Sequence, residues 1–228
     1  MKRLNSLTTG LLFSASCLLL ASATSVLAQT ADGSASSTSA SITATANAKP
    51  LPGNSVYKIA ATLSNQNNES FTLADKRGKP VLVSMFYNSC EFVCPMLIES
   101  MRLVEKDLTP AERDNLSMML ITFDPARDDT QTLQSVASKH ELNSKHWTVA
   151  RTDTASVRKI SAALGIQYRL LENGEFNHTT VMVLLDADGK IIARTQKIGG
   201  TDPAFVKQVR KALQNPSINM TQKSPVPN

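Results

Sequence analysis

Two cysteines four residues apart, Cys90 and Cys94, are the side chains here best suited to chemistry. They stand in Tyr87-Asn88-Ser89-Cys90-Glu91-Phe92-Val93-Cys94-Pro95, between an apolar run and a helical pattern. Pro95 lacks an amide hydrogen and is tolerated only in a helix's first turn, so a helix is expected to begin around 91–94. The thiols then lie at the positive end of that helix. This favours thiolate, the form that attacks disulfides and binds soft metals. Residues four apart on a helical turn share a face, with Cβ atoms ~5–6 Å apart. Two such sulfurs can bridge, or take one metal ion between them. An inert pair of small hydrophobes is the bland alternative, and the polar Asn88 and Ser89 beside them argue against it. The spacing alone does not choose between redox and metal chemistry.

Three histidines could complete a site. His140 falls at the end of an expected helix, where a cation is favourable, so capping explains it. His146, just before Trp147, reads as a surface or strand-end residue. His178 runs through Thr179-Thr180 into an apolar strand, and is either a satisfied loop histidine or a partner for the thiols. A structural zinc site wants four protein ligands, more than this set of residues readily supplies. Met85, Met96 and Met101 offer thioethers, but their positions in a buried strand and on the first helix favour packing.

The elements that position these groups follow from hydrophobic patterning. Val81-Leu82-Val83-Ser84-Met85-Phe86 is a near-continuous apolar run, the mark of a strand buried on both faces. A helix follows with Leu97, Met101, Val104 and Leu108. A second buried strand is expected over 117–123, a helix over 130–142 with Asp128 or Asp129 as N-cap, a short strand over 147–150 and a helix over 154–164. Strands over 180–185 and 190–195 flank Asp186-Ala187-Asp188-Gly189, a hairpin sequence. The last helix starts near Asp202-Pro203. Alternating strands and helices ending in a hairpin and a helix predict a single-domain α/β fold, a central mixed sheet flanked by helices.

Length and composition agree. The chain has 228 residues, 42% apolar and 19% charged, with 9 Gly and 10 Pro. That excludes collagen-like, disulfide-dense and wholly disordered chains. The net charge of +5 is mild and its basic residues are scattered, giving no case for nucleic acid as a partner. Residues 1–28 read as a secretory signal peptide, with Met1-Lys2-Arg3, then Leu11-Leu12-Phe13, Leu18-Leu19-Leu20 and Val26-Leu27-Ala28. Its serines and threonines make a retained membrane anchor the poorer reading. Cys17 as an acylated residue fits badly, since Ser14 stands where a larger aliphatic is expected. Cleavage after Ala28 would leave Cys90 and Cys94 as the cysteines of an exported protein. In an oxidising compartment such a pair can form a disulfide unless it is reduced or ligated. Residues 29–52, rich in Ser, Thr and Ala, read as a flexible linker, 53–214 as the folded domain and 215–228 as a loose tail.

Strand, cysteine turn, helix, strand, helix, then hairpin and helix is the order of a thioredoxin-like fold. Ordinary thioredoxin-type enzymes place a cis-proline opposite their cysteines. Here no proline occurs between Pro125 and Pro203, and His178 occupies that region. An imidazole facing two thiolates would make a ligand set suited to copper.

On these grounds the chain resembles the Sco/SenC family of copper-binding, thioredoxin-like proteins. The match is carried by residues 87–95, by Thr122-Phe123-Asp124-Pro125-Ala126-Arg127-Asp128, and by Asn177-His178-Thr179 with Leu185-Asp186-Ala187-Asp188-Gly189. The resemblance implies a periplasmic or intermembrane metallochaperone that holds copper, Cu(I) or Cu(II), through Cys90, Cys94 and His178. It further implies delivery to the copper-bearing subunit of cytochrome c oxidase or another periplasmic copper protein, with a thiol reductant protein as second partner. Three positions depart from the family pattern. Glu91 stands for a proline, Asn88 for a threonine, and Asn177 for an aspartate. Glu91 could raise the Cys90 pKa by like-charge repulsion or offer an oxygen ligand. Asp124 to Asp128 is adequately explained as a strand end with a helix cap, the alternative being Asp124 or Arg127 beside the metal loop or in docking. The rival function is a thiol-disulfide oxidoreductase using Cys90 and Cys94 as a redox-active pair, for which His178 is dispensable. A peroxidase is disfavoured because Tyr87 stands where peroxiredoxins carry threonine.

Overall fold

The computed structural model describes residues 49–214. The expected signal peptide, most of the linker and the tail lie outside the described residues. Nine strands and five helices follow one another as β1 (Thr62–Asn65), β2 (Ser70–Thr72), β3 (Val81–Phe86), α1 (Val93–Asp107), α2 (Pro110–Asp114), β4 (Ser117–Thr122), α3 (Thr130–Lys139), β5 (Trp147–Arg151), α4 (Thr154–Leu164), β6 (Tyr168–Leu170), β7 (Phe176–His178), β8 (Met182–Leu185), β9 (Ile191–Thr195) and α5 (Pro203–Gln214).

Seven strands make one mixed sheet in the order β2-β1-β5-β4-β3-β8-β9. The centre is parallel, β3 to β4 and β4 to β5, and the outer pairings β1 to β5, β3 to β8 and β8 to β9 are antiparallel. Strand β3 is buried at every position, β4 at all but its first and β8 throughout, which accounts for their near-continuous apolar sequences. The core joins these strands to the buried faces of the helices: Leu97, Met101 and Val104 on α1, Leu133 on α3, Val157 and Ile160 on α4, Phe205 and Val209 on α5.

Helix ends follow local chemistry. Asp129 caps α3, its carboxylate accepting from the Thr132 N–H at 2.8 Å, and Asp153 caps α4 through Ala155 and Ser156. Helix α3 ends at Lys139 with His140 as its C-cap, three residues short of the expected 142, because Glu141 turns left-handed at φ 52°. Three features exceed the expectations: the polar strands β1 and β2 at one side of the sheet, the short helix α2 and a separate two-stranded sheet of β6 and β7. The last carries His178, which pairs with Tyr168.

Candidate metal centre

Strand β3, through its buried ladder with β4, delivers Tyr87 and the cysteine turn to one end of the sheet. The Cys90 N–H donates to the Tyr87 carbonyl at 3.3 Å, closing the turn. Helix α1 begins at Val93 with Pro95 in its first turn, as its missing N–H requires. Phe92 at its start supplies no side-chain cap. Instead the Cys94 N–H donates to Cys90 Sγ at 3.2 Å, so the sulfur takes up one of the helix's free N–H groups.

His178 arrives from 88 positions further along the chain. Beyond it, the Thr179 N–H donates to the Gln167 carbonyl at 2.8 Å, and the buried Ser84 hydroxyl of β3 donates to the Val181 carbonyl at 2.6 Å. The segment is thereby pinned against the strand that carries the cysteines. The ligand atoms of Cys90, Cys94 and His178 all lie within 4.8 Å of one another. Both cysteines are buried free thiols.

The two sulfurs are unequal. The Cys90 thiol is held well below the ordinary thiol range, first by the hydrogen bond from Cys94, with His178 and the Cys94 N–H adding to it against the opposing effect of burial. Cys94 is pushed up, first by that same bond and then by burial. The pair therefore shares one proton: Cys90 is the thiolate and Cys94 the donor. One soft anion, a second thiol able to lose its proton on metal binding, and an imidazole form a set suited to a thiophilic ion.

An aromatic wall backs the site. The Tyr87 ring stands edge-on to His178 at 5.8 Å, and Phe123 lies 4.9 Å from it. Phe176 packs on both, at 5.1 Å and 5.0 Å. The Asp128 carboxylate, buried and raised in pKa chiefly by that burial, accepts the Asn88 N–H at 3.1 Å and the Thr122 hydroxyl at 2.5 Å. It ties the end of β4 to the cysteine turn.

The other sequence candidates lie outside the cluster of Cys90, Cys94 and His178. Arg127 bonds Asp124 through Nε and the Gly174 carbonyl through Nη2 at 2.7 Å, so these two brace the hairpin that bears His178. Glu91 is exposed and outside the ligand cluster. Met85 and Met101 are core residues, but Met96 is 46% exposed, against the expectation that it packs inside. It rests beside Gly199, with Phe92 and Val93 also exposed nearby in sequence. His140 caps α3, and His146 lies 3.6 Å from Asp114 just before β5. Sequence reading missed Tyr87, Glu175 and Asp128 as supports of the site. A tyrosine three residues before the first cysteine was the available clue.

The model of the SCO1/SenC family matches residues 52–214. A Stutzerimonas stutzeri protein named for copper binding is 26% identical over 133 residues, covering 57% of this chain and 64% of that protein. The chain thus spans less than two thirds of that relative's length. Among solved structures, copper-bound ScoI of Bradyrhizobium japonicum superposes with a TM-score of 0.54 at 21% identity, covering 68% of this chain and 95% of that one. BsSco, described as having a disulfide switch and as a member of the Sco family of cytochrome c oxidase assembly proteins, gives 0.58 at 19%, covering 69% and 94%. At these identities the superpositions speak for the thioredoxin-like fold.

Proposed function

Because this chain belongs to the SCO1/SenC family, we propose that it is a metallochaperone whose cargo is one copper ion, held by Cys90, Cys94 and His178. The observation that carries this reading is the convergence of two sulfurs and one imidazole within 4.8 Å from segments far apart in the chain. Cu(I) favours the thiolates, and the imidazole also suits Cu(II). Loading displaces the Cys94 proton. Release proceeds by stepwise ligand exchange, each protein ligand leaving as one from the acceptor binds, with no change in electron count.

The acceptor in this proposal is the copper-bearing subunit of cytochrome c oxidase or another periplasmic copper protein. The setting is the periplasm, reached by a signal peptide over 1–28 that is cleaved after Ala28, with 29–52 as a tether. Among the described residues, no helix is long and apolar enough to cross a membrane. A thiol reductant would keep the pair open, because a Cys90–Cys94 disulfide would remove both sulfur ligands.

A second reading rests on the unequal thiols. Cys90 as thiolate could attack a substrate disulfide, forming a mixed disulfide and expelling one substrate thiolate. Cys94 would then lose its proton and close on Cys90, leaving the substrate reduced and this pair oxidised. His178 separates the two readings. Anaerobic Cu(I) competition against a chromophoric chelator, on the reduced protein, should give one tightly bound ion. His178→Ala should weaken it by at least about tenfold, and the Cys90→Ala/Cys94→Ala double variant should abolish binding. A parent that cannot compete, or a His178→Ala variant that binds as well as the parent, would move the function to thiol-disulfide exchange.

A further inference from the structure

His178 is the ligand whose position is least determined by its own element. Strands β6 and β7 are three residues each and form a sheet of their own. An isolated two-stranded hairpin of that size is marginal in water. The base beside His178 is held through Thr179 and Val181, so the tip, residues 171–175, is the part that needs a partner outside the hairpin if β7 is to lie still over the thiols.

The contacts to the tip are specific. The Tyr87 hydroxyl donates to Glu175 Oε2 at 2.7 Å, although the two residues are 88 apart in sequence. Tyr87 is 4% exposed, and its backbone carbonyl closes the cysteine turn. Next to Glu175, Phe176 and His178 share one face of β7, as alternate residues of a strand must, and both rings pack on Tyr87. On the other side of Glu175, Gly174 receives the Arg127 guanidinium, which also lies 5.6 Å above the Phe176 ring. Tyr87 therefore touches both halves of the site: its backbone fixes the cysteine turn and its phenol fixes the strand that carries the imidazole.

We propose that Glu175 is a positioning residue for the metal centre, a strut that holds His178 at bonding reach of the two sulfurs through the Tyr87 hydroxyl. This rests on the copper reading and adds to it a residue that touches neither ligand sulfur. What the strut contributes is preorganisation. With the acceptor oxygen in place, β7 and its imidazole are already ordered when the ion arrives. Without it, that ordering must be supplied during binding. A hydrogen-bond acceptor is what the phenol needs, so an amide at 175 should serve nearly as well as a carboxylate.

The test uses the reduced chain with Cu(I) alone and, separately, Cu(II) alone. Glu175→Ala is expected to lower Cu(I) affinity about tenfold, as loss of an outer-shell partner does. It should also weaken the nitrogen coupling in the EPR spectrum of the Cu(II) form. Glu175→Gln should restore both. In a His178→Ala background, Glu175→Ala should cost nothing further, since there is no imidazole left to position. Thermal unfolding of each metal-free protein reports on folding, and Glu175→Gln keeps the comparison open should the alanine variant prove unstable. Unchanged affinity in Glu175→Ala, failure of Glu175→Gln to restore it, or an equal loss in the His178→Ala background would each overturn the strut. A parent that binds no copper would overturn the metallochaperone reading and the strut with it.

Discussion

Cys90 and Cys94 differ in chemistry because they differ in place. Cys90 precedes the first turn of α1 and accepts from its N–H, whereas Cys94 lies inside that turn and is more deeply buried. A thiol whose folded pKa is depressed remains thiolate as pH falls, until its own pKa is reached. An ordinary cysteine, with a pKa of about 8.5, loses roughly tenfold in thiolate for each unit below that value. Iodoacetamide should therefore label Cys90 of the reduced, metal-free protein at a rate nearly flat between about pH 8 and 6, with Cys94 silent. Peptide mass mapping across that range checks this, and a rate falling tenfold per unit would show an unactivated thiol. The candidate ligands and their CxxxC spacing were legible in the sequence because cysteine and histidine announce their chemistry. Tyr87, Glu175 and Asp128 were not. Each is an ordinary residue whose role comes from where its oxygen lies, and Glu175 meets Tyr87 only through long-range folding.

At the scale of elements, legibility tracks burial. Strands β3, β4 and β8 were evident as apolar runs because both faces are covered. Strands β1, β2, β6 and β7 carry exposed or half-buried residues at nearly every position, so no period emerges. Helix α2 has no buried residue, yet Thr109-Pro110-Ala111-Glu112 is a capping box with proline at its first position, a readable local cue. The β8–β9 hairpin was recognised from Asp-Gly, and the structure adds the reason that glycine is required. Gly189 sits at φ 80°, and a Cβ there would lie 2.5 Å from the Tyr57 ring. Gly189→Ala should lower stability by about 2 kcal/mol or more, from left-handed strain plus the collision. Urea denaturation measures it, and a loss under about 0.5 kcal/mol would mean that Tyr57 moves aside freely.

For the whole molecule, the fold brings together a local dithiol that follows β3 of the large sheet and a distant imidazole carried on the small one. An ion at a free concentration a hundredfold above Kd stabilises a native chain by at most about 2.7 kcal/mol, the limit reached when the unfolded chain binds none of it. Scanning calorimetry of the reduced protein should thus show Cu(I) raising the melting temperature by several degrees, with a competing chelator reversing it. No shift at saturating Cu(I) would mean that folded and unfolded chains hold the ion equally. The separation of the ligands decides how much of that shift survives mutation. Cys90 and Cys94 stay four residues apart whatever the chain does, so an unfolded polypeptide still carries a copper-binding dithiol. Only His178, 88 residues away, makes the ion a cross-link, and closing a loop of that length costs an unfolded chain entropy worth on the order of 4 kcal/mol. His178→Ala should therefore keep much of the grip on copper and lose most of the melting shift, because what remains is a clasp that closes on itself and fastens nothing else.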